Sequence, residues 1–209
     1  MSQIILDLGS GNTCRNSVDY AEKMIDTVAA IDSHKHEIIF KWQLFLNEPP
    51  NIPLDHLVFA RAYKHAKALG YKTTSSVFDK PSLDFLLNFD IPFVKIACRP
   101  STYWLIGEVP RKIPVYVSCD IREEELPDFG ENGGNWTMLS CVPKYPASLE
   151  DYRGYHPWVS DHVEGLALWR DYPEWRAWEK HFILEDDPTN PDAAGHAIKP
   201  DLLKEVIGA

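Results

Sequence analysis

The sequence predicts a compact (β/α)8 barrel of one domain, residues 1–209, with several shortened or missing helices. Three observations predict it. Short β-rich runs alternate with amphipathic segments along the chain, the pattern of a parallel sheet with right-handed crossovers. Eight such runs can be traced, which favours a closed barrel over an open sheet. Polar residues stand where these runs end, and strand C-termini form the active-site face of a barrel. At 209 residues the chain is near the lower limit of about 200 for this fold, against a usual length of about 250, so helices must be clipped.

The elements follow in order. Ile4-Ile5-Leu6 is an apolar run closed by Asp7, Gly9 and Gly11, the profile of a buried strand entering a loop. Ser17 or Asn16 can cap a helix whose Ala21, Met24, Ile25, Val28 and Ala29 recur at helical spacing. The second strand is Glu37 to Phe40, ending in Lys41 and Gln43. A helix from Pro53 to Leu69 follows, with Leu57, Ala60, Ala68 and Leu69 as its apolar residues and Gly70 as its stop. Tyr71 to Ser75 is the third strand. The next helix starts near Pro81, with Leu83, Leu86 and Leu87 inward.

Pro92 to Ile96, Ile113 to Ser118 and Trp136 to Cys141 are strands four to six. Trp158 to Ser160 is a weaker seventh, and Arg176 to Glu179 an eighth that ends near His181. Asp201 to Ile207 closes the chain as a helix after Pro200. Between Ile121 and Asn135, acidic residues, Pro127 and glycines displace a clear helix. Ser148 to Gly154 and Glu164 to Tyr172 are too short for full barrel helices.

A formal net charge of -10 argues against a nucleic-acid or anionic-membrane surface, which needs a basic footprint. No apolar run approaches the roughly 18 residues of a membrane span, and the start lacks a secretion signal. Cys14, Cys98, Cys119 and Cys141 are scattered without a CxxC pair, as in a cytoplasmic protein with reduced thiols.

The strand-end residues are Asp7, Lys41, Ser76, Lys95, Ser118, Tyr145, His162 and His181. Singly, a strand-end lysine reads as a solvated or salt-bridged side chain, and Asp7 as a turn former. Together they put charge at one end of a buried sheet, which is costly unless paired or used. His162 and His181 close neighbouring strands, so a barrel brings their rings together. Two imidazoles with open positions suit a divalent cation, although spacing alone equally allows core-edge histidines. His34, His36, His56, His65 and His156 show no such placement. His196, near Asp192, reads as a loop histidine or a rim residue. Trp158, Trp169, Trp175 and Trp178 fill a core or stack on a ring-shaped ligand. The Glu123-Glu124-Glu125 run is a solvated segment.

Several segments in order carry a family resemblance. They are Phe40-Lys41-Trp42-Gln43-Leu44-Phe45, Ser75-Ser76-Val77-Phe78-Asp79, Val94-Lys95-Ile96-Ala97 and Pro114-Val115-Tyr116-Val117-Ser118. Cys141 through Tyr145-Pro146, Ser160-Asp161-His162, Glu179-Lys180-His181-Phe182 and Pro191-Asp192 complete the series. Over residues 3–206 the chain resembles sialic acid (N-acetylneuraminic acid) synthases. The resemblance implies a barrel that condenses phosphoenolpyruvate with the aldehyde of an aldose or N-acyl sugar. It implies that His162 and His181 hold a divalent cation, Mn2+ with Mg2+ or Co2+ as alternatives, that polarises the aldehyde. It further implies that Lys41, Gln43, Ser76, Lys95, Cys98 and Ser118 bind substrate, the lysines and hydroxyls facing the phosphate and carboxylate. Tyr145 and Asp192 match sugar-pocket positions, and Asp7 matches a glutamate that handles the water attacking C2 of the enolpyruvate.

The chain also departs from that pattern. Asp7 is one methylene shorter than the family glutamate, and Cys98 replaces a serine. Pro143 falls where an asparagine contacts the sugar, which removes a side-chain amide and a backbone N–H. Family members carry a C-terminal antifreeze-like domain that lends an arginine to the sugar site, so a separate polypeptide of that kind is an expected partner. Two readings result: a minimal synthase with an altered acceptor, or a catalytically silent barrel that keeps metal or anion binding as a scaffold or regulator.

Overall fold

The structure, a computed structural model, describes residues 2–44, 49–123, 135–152, 157–172 and 174–208. Phe45, Glu124, Glu125, His156 and most of the 121–135 stretch lie outside the described residues. Eight parallel strands close a barrel in sequence order. They are β1 (Gln3–Asp7), β2 (Glu37–Leu44), β3 (Lys72–Val77), β4 (Val94–Ile96), β5 (Val115–Asp120), β6 (Trp136–Cys141), β7 (Trp158–Asp161) and β8 (Ala177–His181). Closure is made by β1 against β8, with Asp7 opposite both His181 and Lys41 of β2.

Strand alternation splits the buried residues into two cores. Outward residues such as Ile4, Leu6, Phe40, Val94, Val117 and Trp178 pack with the helices. Inward residues Ile5, Ile39, Phe93, Tyr116, Leu139 and Ala177, with Trp158 against them, plug the lower barrel. Two residues further along each strand the inward set turns polar: Asp7, Lys41, Lys95, Ser118, Cys141, Ser160 and Glu179. The apolar plug is therefore the floor under a polar layer. The intervening outward residues are used structurally. Asp161 and Lys180 are fully buried and 3.2 Å apart, and the Trp178 indole donates to Asp161 at 2.9 Å.

The helices are uneven, as expected. Helix α1 (Val18–Ile31) is capped by Ser17, which accepts from the Tyr20 N–H. Helix α2 spans His56–Ala68 and starts from an Asp55 cap rather than at Pro53. Its predicted apolar face is also corrected: Leu57 and Leu69 are exposed, and Val58, Phe59, Ala62, Tyr63 and Ala66 are buried. Reading Leu57 as inward puts the stripe about 150° off, since its centre lies between Val58 and Phe59. Helix α3 (Lys80–Leu86) is capped by Asp79. After β4 a 3-10 helix covers Pro100–Glu108, after β6 another covers Leu149–Tyr152, and α4 after β7 has five residues, Ala167–Asp171. A short turn at Pro191–Ala193 precedes α5 (Pro200–Ile207). No helix among the described residues is long and apolar enough to cross a membrane.

Candidate active site at the barrel mouth

A cavity of about 450 Å³ opens at the C-terminal ends of the strands. Asp7, Lys41, Gln43, Ser76, Lys95, Cys98, Ser118, Tyr145, His162, His181 and Asp192 all line it. Added to them are Glu179, Cys141, Ser160, Arg99 and His196. None of the four late tryptophans does; Trp175 and Trp178 are buried in the outer core and Trp169 packs on it.

One half of the cavity is built on two buried lysines. Lys41 Nζ lies 2.5 Å from Asp7 Oδ2, 3.0 Å from Glu179 Oε1 and 3.1 Å from Ser76 Oγ. Lys95 Nζ donates to Ser118 Oγ at 2.8 Å and lies 3.5 Å from Glu179 Oε2. Burial favours the neutral amine at Lys41, but Asp7 and Glu179 outweigh it and hold the ammonium above the usual lysine range. Reciprocally, burial would raise the Asp7 and Glu179 carboxyls, and the lysines keep both below the usual carboxylate range. This half is thus a charge-balanced cluster rather than a purely basic pocket. Gln43 donates to Asp7 Oδ2 at 2.8 Å, so Asp7 is held by two neighbouring side chains. Asp7 is also the turn former that its position suggested, accepting from the Gly9 N–H at 3.0 Å. Beside Lys95, a hydrogen bond with Cys141 pulls the Cys98 thiol down against its burial, and burial drives Cys141 well up.

The other half is imidazole-rich. The His162 and His181 rings lie 5.8 Å apart between centroids, as adjacent strands require. Nδ1 of His162 is 2.7 Å from the Val142 carbonyl, an acceptor, so Nδ1 carries the hydrogen and Nε2 keeps its lone pair. Burial, then the neighbouring His181, holds His162 well below the usual histidine range, in the neutral form that a cation needs. His181 sits between Asp7 Oδ2 at 3.4 Å and Asp192 Oδ1 at 3.0 Å; burial opposes its protonation, but the two carboxylates prevail and raise it. Tyr145, half exposed, covers the cluster with its ring 4.2 Å from that of His162.

Asp192 reaches this cluster because the segment after β8 folds back across the mouth. The Ile198 N–H donates to the His181 carbonyl at 2.8 Å, pairing Ile198 with Phe182. Asn190 accepts from the Asp192 N–H at 3.1 Å; the single Thr13 hydroxyl hydrogen points to Asp192 Oδ2 at 2.5 Å, with Asn190 Oδ1 3.1 Å from the same hydroxyl. Gly9 lets the first loop approach: at φ +73°, any Cβ would stand 2.0 Å from Thr13 Oγ1 and 2.3 Å from Asp192 Oδ2. His181, Asp192 and His196 each offer a ligand atom, all within 4.8 Å of one another. Nδ1 of His181 faces the Asp192 carboxylate at 3.0 Å, and the buried Nδ1 of His196 has no hydrogen-bond partner among the described residues. Two imidazoles around one buried carboxylate are a donor set that fits a divalent cation.

Sequence reasoning passed over Glu179 as a site residue and left His196 between loop and rim. Period-two alternation would have found Glu179, because it shares a face with His181. No local pattern marks His196, which depends on the fold-back of its loop.

No family model matches the chain. A curated relative, N,N'-diacetyllegionaminic acid synthase of Legionella pneumophila, is 26% identical over 171 residues, covering 68% of this chain and 47% of that protein. The chain spans from about half to 60% of the length of the curated relatives it matches. Among solved structures, the N-acetylneuraminic acid (sialic acid) synthetase of Leptospira borgpetersenii aligns with a TM-score of 0.75 at 17% identity, covering 98% of this chain and 80% of that one. The Bacillus subtilis spore coat polysaccharide biosynthesis protein SpsE aligns at 0.74 and 21%, covering 99% and 66%. At these identities the structures speak for the fold. The sequence comparison adds a partial likeness to a legionaminic acid synthase, and the fold is a (β/α)8 barrel similar to those of these proteins.

Proposed function

We propose that this barrel condenses phosphoenolpyruvate with the open-chain aldehyde of an aldose or N-acyl sugar. The observation that carries the reading is the convergence of Lys41 and Lys95 with His162 and His181 in one cavity. C3 of the enolpyruvate attacks the aldehyde carbon, water adds at C2, and the phosphate leaves with its bridging oxygen. The products are a 2-keto-3-deoxy sugar acid and inorganic phosphate.

Lys41 and Lys95, with the Ser76 and Ser118 hydroxyls, hold the phosphate and carboxylate in this reading, the ammonium groups as charge and the hydroxyls as directional partners. Gln43 and Cys98 border the same anion. Asp7, ionised beside Lys41, is placed to orient the water. His162 and His181 hold the divalent cation, Mn2+ by the resemblance, which when bound supplies Lewis-acid polarisation of the aldehyde. Asp192 and Tyr145 face the sugar. A cytoplasmic location suits the free thiols.

A second reading, a silent barrel that only binds, is favoured by the tethering of Asp7 to Lys41 and Gln43. Phosphate release from phosphoenolpyruvate and Mn2+ across a panel of aldoses and N-acyl sugars separates the two. Synthesis requires release that depends on one sugar and falls at least about 100-fold in His162→Ala and His181→Ala, the scale on which metal support matters. Thermal stabilisation by phosphoenolpyruvate without turnover on any acceptor would leave only the binding protein.

A further inference from the structure

The loop after β8 contributes a third imidazole. His196 is 3% exposed, and its ring lies 4.6 Å from that of His181 and 6.2 Å from that of His162. It is delivered by a reversal at Gly195, whose φ of +101° is one that side chains rarely adopt, and is anchored by the Ile198–Phe182 bridge. Its Nε2 stands 3.8 Å from Asp192 Oδ1, too long for a hydrogen bond. Its Nδ1 has no partner among the described residues. His181 Nδ1 and His196 Nε2 stand 3.0 and 3.8 Å from the same Asp192 oxygen, and one atom of each of the three residues lies within 4.8 Å of the others. A cation among them would meet both imidazoles and the carboxylate.

We propose that His196 is a further protein ligand for the divalent cation, which it draws toward His181 and Asp192, so that Asp192 meets the cation as well as the sugar side and the site's preference shifts from Mn2+ toward Zn2+ and Co2+. This rests on the reading that the barrel holds such a cation. Bonds of about 2.1 Å place tetrahedral ligand atoms roughly 3.4 Å apart, so a spread of up to 4.8 Å closes with sub-ångström side-chain shifts. The ring of His162 remains at the edge of the same space. An added imidazole favours Zn2+ and Co2+, whereas Mn2+ is better served by oxygen ligands. Any nitrogen-containing site follows that order, so the diagnostic is how the preference changes when His196 is removed.

The test uses the full chain stripped with chelator and titrated calorimetrically with Zn2+, Co2+ and Mn2+. Proton NMR of the Co2+ form counts the shifted, exchangeable imidazole N–H signals. His196→Asn, and His196→Gln should the first not fold, keep a polar side chain near Asp192 while removing the ring. The expected result is one fewer imidazole signal and a Zn2+-to-Mn2+ affinity ratio at least about 10-fold smaller, the lower bound set by loss of a merely supporting group. An unchanged signal count with affinities within threefold of wild type overturns the assignment. If His181→Ala still abolishes binding in that case, the cation reading survives and only His196 is removed from it. No binding of any of the three cations by the wild-type chain overturns both.

Discussion

Glu179 holds two ammonium groups at once, and so governs what the anion half of the cavity can bind. Its carboxylate lies 3.0 Å from Lys41 and 3.5 Å from Lys95, all three being buried. Removing one member of a buried ion pair costs about 3–5 kcal/mol; Lys41 keeps Asp7, so Glu179→Gln is expected near the lower end. The same change removes a negative charge from beside the lysines. Inorganic phosphate and phosphoenolpyruvate should therefore bind several-fold tighter to the destabilised variant, with urea unfolding and calorimetry as the two measurements. Weaker anion binding at full stability would show that Glu179 orients the lysines more than it competes for them.

Helix α2 shows how local patterning and packing can differ. Leu57 is 65% exposed and Phe59 fully buried, although both are large and apolar and stand two positions apart. Phe59 meets Tyr63, Phe85 and Phe89 in edge and tilted ring contacts at 5.1 to 6.4 Å, joining α2 to α3 and the segment after it. Phe59→Ala should cost about 3–5 kcal/mol, whereas Leu57→Ser should stay within about 0.5 kcal/mol. Chemical denaturation of the two variants decides between this face and the one predicted from Leu57 and Leu69. Among the other elements, strand bounds were legible to within a residue or two, except that β2 continues to Leu44, four residues past Phe40, because its upper half carries the polar Lys41 and Gln43 and lacks the apolar run of its lower half. The 3-10 helices were not, since short runs with proline and acidic residues carry no clear period.

At the scale of the molecule, the cavity binds the ring together. Lys41 comes from β2, Ser76 from β3, Lys95 from β4, Ser118 from β5 and Glu179 from β8. An anion held by the two lysines and the two hydroxyls bridges the four consecutive strands β2 to β5, with Glu179 tying the lysines to β8. Phosphoenolpyruvate at 100 times its dissociation constant should add about 2.7 kcal/mol, raising Tm by roughly 5–10 °C at this chain length. Because the bridged strands close one barrel, far-ultraviolet and near-ultraviolet transitions should move together. Separation of the two on adding ligand would mean that part of the ring unfolds alone. The net charge of -10 leaves anion capture to the buried lysines, since the overall field repels anions.

Strand order, barrel closure and the floor-to-polar-layer change were written in the sequence, because alternation along a strand is a local, period-two property. Lys41, Lys95, His162 and His181 could be placed on one mouth from that rule alone. Tertiary structure decided what those groups meet: that Glu179 sits between the lysines, that Asp7 is tethered, and that His196 enters the imidazole cluster. These depend on contacts between residues far apart in sequence and on a loop reversal at Gly195. A one-dimensional pattern specifies which face a side chain takes, but only the closed fold specifies its neighbours there.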